Sequence, residues 1–270
     1  MWNTRKRLPT ALVLIAVVFV CIQYFPSLGF FFAVQFIILA SLSEFYYLPQ
    51  KKNIITNKVL GILLASVISL SFYFQWISLN LAVFSWFLLA GVYFVASIKT
   101  LEKVMVFPRS IALTFFGAFY VTFTLNHFYL IREDYGPFYV YFLLIIVIVG
   151  DSGAFVFGKL FGRHKMTPMA SPKKTWEGSV SGLISACLGG VLIQQILLDE
   201  TLLWKAVLFS ILLHAVAQVS DPLESLFKRA AGVKDSAKIL PGHGGFLDRI
   251  DSHILAAPLF YYLLLLIGMD

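Results

Sequence analysis

Four carboxylate residues stand close together near the C-terminal end of the chain, among residues that are mostly apolar. A helix would place Glu224, Ser225 and Lys228, which follow Asp221 by three, four and seven residues, on the same face as Asp221. Asp248 and Asp251 are also three residues apart and would share a face of the last span. The two helix ends would then present carboxylates to one polar cavity. Such oxygens suit Mg²⁺, which typically binds one or two protein carboxylates together with substrate phosphates. The spacing therefore predicts phosphate chemistry at a magnesium site and leaves a second cation open.

The residues around these acids carry groups that would bind phosphate. Lysine and arginine neutralise phosphate oxygens, and glycine lets the backbone lie close to a ligand. The candidate groups are Ser225, Lys228, Arg229, Lys234, His243, Gly244, Gly245 and Arg249. A solvated loop with salt bridges at the helix ends is the alternative. It explains poorly why so many charged residues occur together in such an apolar chain.

Asp151 is a further acid, and it lies between two apolar stretches. A carboxylate in or near a membrane span is costly unless it is paired or solvated, so we expect Asp151 to face a polar cavity. A hydrogen bond to a neighbouring helix, or a pair with a basic loop residue, is the alternative interpretation.

The segment Ser171–Gly178, with the sequence SPKKTWEG, leads directly into a predicted helix. Its hydroxyl and ammonium groups belong to Ser171, Lys173, Lys174 and Thr175. A loop that enters a helix in this way suits an anion, because the first backbone N–H groups of the helix point towards it. A cytoplasmic anchor that contacts lipid headgroups is an equally good interpretation of the segment alone.

The elements that position these groups are predicted to be membrane helices. Of the 270 residues, 59% are hydrophobic and 13% are charged. Continuous apolar runs of about 17–25 residues match the length needed to cross a bilayer as a helix. About nine such runs lie near 8–26, 28–48, 57–75, 77–98, 110–130, 137–158, 177–198, 202–219 and 249–268. We therefore predict an all-α polytopic membrane protein whose first span is retained.

The distribution of lysine and arginine predicts the direction of insertion. With Arg5, Lys6 and Arg7 in the cytoplasm, alternate loops hold nearly all the other basic residues, and the opposite loops carry only Arg132 and Lys205. The N-terminus is then cytoplasmic and the C-terminus outside. Residues 1–135 are predicted to be an N-terminal set of transmembrane helices, and residues 136–270 a catalytic transmembrane domain with cytoplasmic polar loops.

Small residues recur at every fourth position of the run near 177–198, at Gly178, Gly182, Ala186 and Gly190. This pattern is typical of closely packed helices. It leaves open whether the partner helix belongs to the same chain or to a homodimer. The net charge of +7 follows the membrane topology and predicts no nucleic-acid partner.

The segment Ser225–Asp251, SLFKRAAGVKDSAKILPGHGGFLDRID, resembles the signature of the phosphatidate cytidylyltransferase (CDP-diacylglycerol synthase) family. It matches as S-x-F-K-R, four residues, then K-D-x-A-x-x-L-P-x-H-G-G-F-x-D-R-I-D. The stretch DSGAFVFGKLFGRHK and the segment SPKKTWEG also resemble family segments, so the resemblance covers roughly residues 140–260. The chain has Ser220-Asp221-Pro222 where the family usually has Gly-Asp-Leu, and Pro222 is expected in the first turn of a helix.

The resemblance implies a nucleotidyltransferase of phospholipid biosynthesis in the bacterial inner membrane, with its active site facing the cytoplasm. Its substrates would be CTP and phosphatidate, a membrane lipid, and its cofactor Mg²⁺. Asp221 and Asp248 would hold the metal ion, with Asp151 and Asp251 as further ligands or their neighbours. Lys173, Lys174, Lys228, Arg229 and Arg249 would cradle phosphates, and His243, Gly244 and Gly245 would shape the nucleotide pocket.

An ion-coupled transporter is the main alternative, with Asp151, Asp221 and Asp248 along an ion path. Transporters often carry broken helices at matching positions in two halves. No such match is visible in this sequence, and its polar residues gather at one membrane face. A transferase that consumes CDP-diacylglycerol would carry a D-G-x-x-A-R motif, which the sequence lacks.

Overall fold

The structure, a computed structural model, describes residues 4–52, 54, 56–75, 77–198, 202–239 and 244–268. Of the residues that it describes, 82% are helical. Its helices are α1 (Thr4–Tyr24), α2 (Ser27–Gln50), α3 (Lys58–Phe74), α4 (Leu79–Ser97), α5 (Leu101–Ala118), α6 (Thr124–Tyr135), α7 (Pro137–Phe161), α8 (Trp176–Leu197), α9 (Leu203–Ala230), α10 (Leu247–Ile250) and α11 (His253–Ile267). A π-helical turn, Phe119–Phe123, joins α5 to α6. The strands β1 (Lys165–Thr167) and β2 (Ser171–Thr175) form an antiparallel hairpin.

Six helical stretches are long and apolar enough to cross a membrane, among the residues that the structure describes. They are Ser27–Gln50, Leu79–Ser97, Leu101–Tyr135, Pro137–Phe161, Trp176–Leu197 and Leu203–Ala230. Shorter apolar helices cover Ala11–Tyr24, Lys58–Phe74 and His253–Ile267. A helical, multi-span membrane protein is therefore supported, whereas the count of nine spans and the direction of insertion stay predictions.

The chain divides into two compact units. The first unit comprises residues 1–126 and 231–249, and the second comprises residues 127–230 and 250–270. In the first unit, the Tyr46 hydroxyl of α2 donates to the Thr114 carbonyl of α5 at 2.6 Å. The Trp86 indole of α4 donates to the Leu60 carbonyl of α3 at 2.8 Å. Hydrogen bonds from side chains to backbone carbonyls therefore join neighbouring helices of this unit.

In the second unit, α8 packs against α7 and α9, and the small residues of α8 make this possible. A Cβ added to Gly178 would lie 2.8 Å from the Ala154 carbonyl and 3.0 Å from the Gly158 Cα, both on α7. A Cβ added to Gly182 would lie 2.6 Å from His214 Nε2 on α9. The predicted close packing is confirmed, and the partner helices belong to the same chain.

Two local predictions about helix ends are wrong. Pro222 lies inside α9, which runs without a break to Ala230, because buried neighbours such as Ala217 and Glu224 hold the helix on both sides of the proline. The last apolar helix begins at His253. Asp248 lies in the separate short helix α10 and Asp251 in the turn that follows, so the two do not share one face of a single span.

Candidate active site

In the first unit, the carboxylate of Asp248 organises the loop in front of α10. Its Oδ2 atom accepts hydrogen bonds from the Ser236 backbone N–H, the Ser236 hydroxyl and the Gly245 N–H, each at 2.9 Å. The side chain is 8% exposed. A buried carboxylate needs such donors, because burial without them carries a large desolvation cost. The loop donors therefore hold the Asp248 carboxylate in a fixed position.

A second buried carboxylate, Glu44 of α2, contacts the same loop. Its Oε1 accepts from the Phe246 N–H at 2.9 Å, and its Oε2 accepts from the Leu247 N–H at 3.0 Å and from the Ser236 hydroxyl at 2.7 Å. Glu44 thus binds the first backbone donors of α10, which have no partners within the helix. The sequence interpretation missed Glu44, although an isolated acid in an apolar span is itself the signal of a functional group.

The surroundings of Gly244 and Gly245 leave little room for a side chain at either position. Gly244 has φ +81°, and a Cβ there would lie 2.7 Å from Asp248 Oδ2. A Cβ at Gly245 would lie 2.2 Å from Glu44 Oε2 and 2.3 Å from Ser236 Oγ. The sequence predicts that the backbone of this glycine pair lies close to another group. In the structure, that group is a carboxylate of the protein itself.

In the second unit, Asp221 is paired with the lysine of the β2 strand. Lys174 Nζ lies 2.8 Å from Asp221 Oδ2, and the Ser225 hydroxyl donates to Asp221 Oδ1 at 3.3 Å. The side chains of Lys174 and Asp221 are 25% and 26% exposed, so a ligand could reach this pair. The contact of Ser225 with Asp221 confirms that these residues share one face of α9.

Two more carboxylates of the second unit lie within electrostatic reach of Asp221. Asp151 accepts from the Ser252 hydroxyl at 2.9 Å and interacts with the charges of Lys174 and Asp221. Asp251 accepts from the Ser252 N–H at 2.8 Å. Burial, and then the negative charges of Asp221 and Glu224, raise the pKa of Asp251 well above its ordinary value. Such a crowd of carboxylates becomes more favourable when a cation joins it.

The two adjacent lysines of the SPKKTWEG segment differ in their surroundings. Alternation along β2 leaves Lys173 exposed while Lys174 reaches Asp221. The Thr175 side chain is buried and accepts a hydrogen bond from the Gly178 N–H, so that it caps α8. Glu177 accepts from the Arg163 and His164 N–H groups at 3.0 and 3.2 Å and fixes the start of the hairpin. The segment is therefore a strand followed by a helix cap, and not the loop that the sequence predicted.

The remaining basic candidates are held in different ways. Lys228 is buried and forms an ion pair with Glu224 one helical turn earlier. The Arg229 guanidinium donates to the Ala170 carbonyl at 3.2 Å, and Arg229 is exposed. Lys234 and Arg249 are exposed in the first unit. His243 lies outside the described residues.

The donor chemistry of these acids fits a hard cation such as Mg²⁺. No group of three or more His, Cys, Asp or Glu side chains is arranged to hold a metal ion within the described residues. One or two carboxylates completed by substrate phosphates would suffice for Mg²⁺. Asp221 lies in the second unit and Asp248 in the first, so their convergence on one ion stays a prediction. Asp151, Asp221 and Asp251 are brought together within the second unit.

Comparison with known proteins decides the family. The sequence model described as "Cytidylyltransferase family" matches residues 5–267. The chain belongs to the cytidylyltransferase family. It is 41% identical over 146 residues to the phosphatidate cytidylyltransferase of Staphylococcus haemolyticus, covering 54% of this chain and 56% of the relative. The Staphylococcus epidermidis enzyme of the same name is 38% identical over 178 residues, covering 66% and 68%.

A relative from another genus carries the same protein name. The phosphatidate cytidylyltransferase of Haemophilus influenzae is 39% identical over 132 residues, covering 47% of this chain and 46% of the relative. The alignments thus span about half to two thirds of the relatives' own lengths. Membership of the cytidylyltransferase family, which covers nearly the whole chain, confirms the resemblance seen in the sequence. It gives no support to the transporter alternative.

Proposed function

We propose that this protein transfers the cytidylyl group of CTP to phosphatidate, giving CDP-diacylglycerol and pyrophosphate. The observation that carries the proposal is the match of residues 5–267 to the cytidylyltransferase family. The names of the relatives supply the lipid substrate. The partly exposed pair of Asp221 and Lys174 in the second unit agrees with a reaction between two phosphate-bearing molecules.

The reaction needs positioning and charge neutralisation more than a reactive side chain. A phosphate oxygen of the lipid attacks the α-phosphorus of CTP in line, a new P–O bond forms, and the bond to the leaving pyrophosphate breaks. The attacking group is already an anion, so no residue must remove a proton from it. Lys174 is the basic residue best placed to neutralise phosphate charge, because it already binds Asp221, a carboxylate of the site.

Asp221 and Asp248 are proposed as the ligands of Mg²⁺, with Asp151 and Asp251 as further ligands or their neighbours, and a second cation is left open. When bound, Mg²⁺ would neutralise charge on the nucleotide phosphates. Asp221 carries a positive partner, Lys174, in the structure. Lys174, which lies beside a residue that would hold the cation, is proposed to neutralise a phosphate oxygen.

The other site residues are proposed to bind the two substrates. The loop containing His243, Gly244 and Gly245 would shape the nucleotide pocket. Phosphates would be cradled by Ser171, Lys173, Lys174, Thr175, Ser225, Lys228, Arg229, Lys234 and Arg249. Of these, Lys173, Arg229, Lys234 and Arg249 are exposed, which suits contact with a soluble nucleotide or with lipid headgroups.

We also propose nine spans, a cytoplasmic N-terminus and a site that faces the cytoplasm of a bacterial inner membrane. Support comes from the contacts of Glu44, near the C-terminal end of α2, with the loop before α10. Both belong at the same membrane face in the proposed topology. The catalytic role of residues 136–270 and a homodimer remain part of the proposal.

Replacing Gly245 by alanine is expected to lower the rate of CDP-diacylglycerol formation by about tenfold or more, because displacement of a positioning loop by even ~1 Å has large effects. The added Cβ would collide with Glu44 and Ser236. Gly91→Ala is the matched control, since a Cβ at Gly91 meets nothing within 4 Å. Turnover by purified protein in detergent is the measurement, and equal rates for the two variants would refute the assignment of this loop.

The position of a radioactive label tests the proposed reaction. Purified protein is incubated with phosphatidate and Mg²⁺ and with CTP labelled at either the α- or the γ-phosphorus. Cytidylyl transfer puts only the α-label into the lipid, with the γ-label in pyrophosphate. Lipid carrying the γ-label would indicate phosphoryl transfer. Ion flux into liposomes without any need for CTP, and no labelled lipid, would favour the transporter.

A further inference from the structure

We propose that Glu44, on the second helix of the chain, is a positioning residue that sets the conformation of the nucleotide-binding loop. This inference rests on the proposed function, since the loop Gly244–Asp248 is the one assigned to CTP and the metal ion. Glu44 precedes the loop residues Phe246 and Leu247 by 202 and 203 positions in sequence. It is therefore a long-range anchor.

The contacts of Glu44 involve the loop Gly244–Asp248 and one residue outside it. Its carboxylate binds the N–H groups of Phe246 and Leu247 within the loop and the hydroxyl of Ser236 outside it. The Phe246 ring also packs edge-to-face on Phe36 of the same helix, with the ring centroids 5.6 Å apart. The side chain of Glu44 is 4% exposed. Helix α2 thus holds this stretch of backbone by charge-assisted hydrogen bonds, the stronger kind, and by an aromatic contact.

The anchor is coupled to Asp248 through one hydroxyl group. Ser236 Oγ lies 2.7 Å from Glu44 Oε2 and 2.9 Å from Asp248 Oδ2. Among the described residues, the donors to these two carboxylates include the N–H groups of Ser236, Gly245, Phe246 and Leu247 and the Ser236 hydroxyl. Each Glu44 oxygen accepts at least one of them. A glutamine at position 44 would replace one of the two acceptor oxygens by an N–H donor. The side-chain N–H would then face a backbone N–H of the loop, and both would be buried.

Loss of the Glu44 contacts is expected to weaken the binding of CTP and not that of phosphatidate. Glu44 would not contact CTP, but loss of its hydrogen bonds lets the loop move, so that CTP must order it on binding. Glu44→Gln is therefore expected to raise the KM for CTP by about tenfold or more, the effect of losing roughly 1.4 kcal/mol. The KM for phosphatidate should stay within about twofold. A purely structural role would instead reduce the amount of folded enzyme, which lowers kcat and leaves both KM values unchanged.

Steady-state kinetics on purified protein in detergent test this. Glu44→Gln is compared with Ser236→Ala, which removes the shared hydroxyl while leaving α2 unchanged, and with Glu102→Gln as a control at an exposed acid of the first unit. We expect a raised KM for CTP in the first two variants, smaller in Ser236→Ala, and wild-type constants in the control. Hydrogen exchange should be faster at the backbone amides of residues 244–247 in Glu44→Gln.

Three results have distinct meanings. A rise in the KM for CTP with faster exchange in the loop supports the anchor. A fall in kcat alone, or wild-type constants in Glu44→Gln, overturns it. A wild-type protein that makes no CTP-dependent lipid product overturns the proposed function instead, and hydrogen exchange then still reports whether Glu44 orders the loop.

Discussion

Asp221→Asn and Asp248→Asn are each expected to lower CTP-dependent pyrophosphate release by roughly 10³-fold, an effect of the size seen when a charge-stabilising group is removed. The proposed cation is held by these two carboxylates, so loss of either negative charge weakens its binding. The protein should stay folded. An asparagine amide oxygen can still accept from Ser225 at position 221, or from Ser236 and Gly245 at position 248.

Two controls keep this prediction specific. Lys51→Ala changes an exposed residue after α2, and Glu102→Gln removes an exposed carboxylate of α5. Both should release pyrophosphate at close to the wild-type rate. Thermal unfolding in detergent checks that the two asparagine variants are folded. Near wild-type turnover in both of these variants would show that the assignment of the metal ligands is wrong.

Lys174→Gln is expected to reduce turnover by about a hundredfold, because a buried or half-buried charge aimed at the transferred phosphate contributes on that scale. Lys174 is the lysine that reaches Asp221, so it is the one placed to neutralise a phosphate at the proposed site. Lys173→Gln is the matched control. It removes the same charge from the adjacent residue, which points away along β2, and should cost less than about tenfold.

The comparison of these adjacent lysines uses the rate of labelled lipid formation at saturating CTP and phosphatidate. Salt dependence adds a second readout, since an exposed charge such as that of Lys173 is screened more strongly than a partly enclosed one. Equal losses in the two variants would mean that the segment acts only as a diffuse positive surface. In that case the anchor for lipid headgroups, left open by the sequence, would be the better interpretation.

Much of the helical architecture could be predicted from the sequence. Apolar runs coincide with helices because each must bury its backbone polar groups within itself. The helix face predicted to be shared by Asp221, Glu224, Ser225 and Lys228 is confirmed by the contacts of Ser225 with Asp221 and of Lys228 with Glu224 on α9. These are local relations, which helix geometry alone determines.

The contacts of Glu44 could not be predicted, because they join residues about 200 positions apart in sequence. The β1–β2 hairpin was also missed. Its strands have three and five residues and are mostly polar, so they lack the apolar alternation that indicates a strand. Pro222 was expected to begin a helix, yet packing on both sides outweighs the one hydrogen bond that proline cannot make.

The central claim is that Asp221 and Asp248 hold one divalent cation. Replacement of the metal ion tests this claim most directly. In a background with Cys21 and Cys187 changed to alanine, Asp221→Cys and Asp248→Cys are assayed with Mg²⁺ and with added Cd²⁺. Thiolates prefer softer metals, so each variant should be inactive with Mg²⁺ and regain CDP-diacylglycerol synthesis with Cd²⁺, whereas Asp221→Ala and Asp248→Ala should not. Wild-type synthesis by both cysteine variants with Mg²⁺ alone would contradict the account.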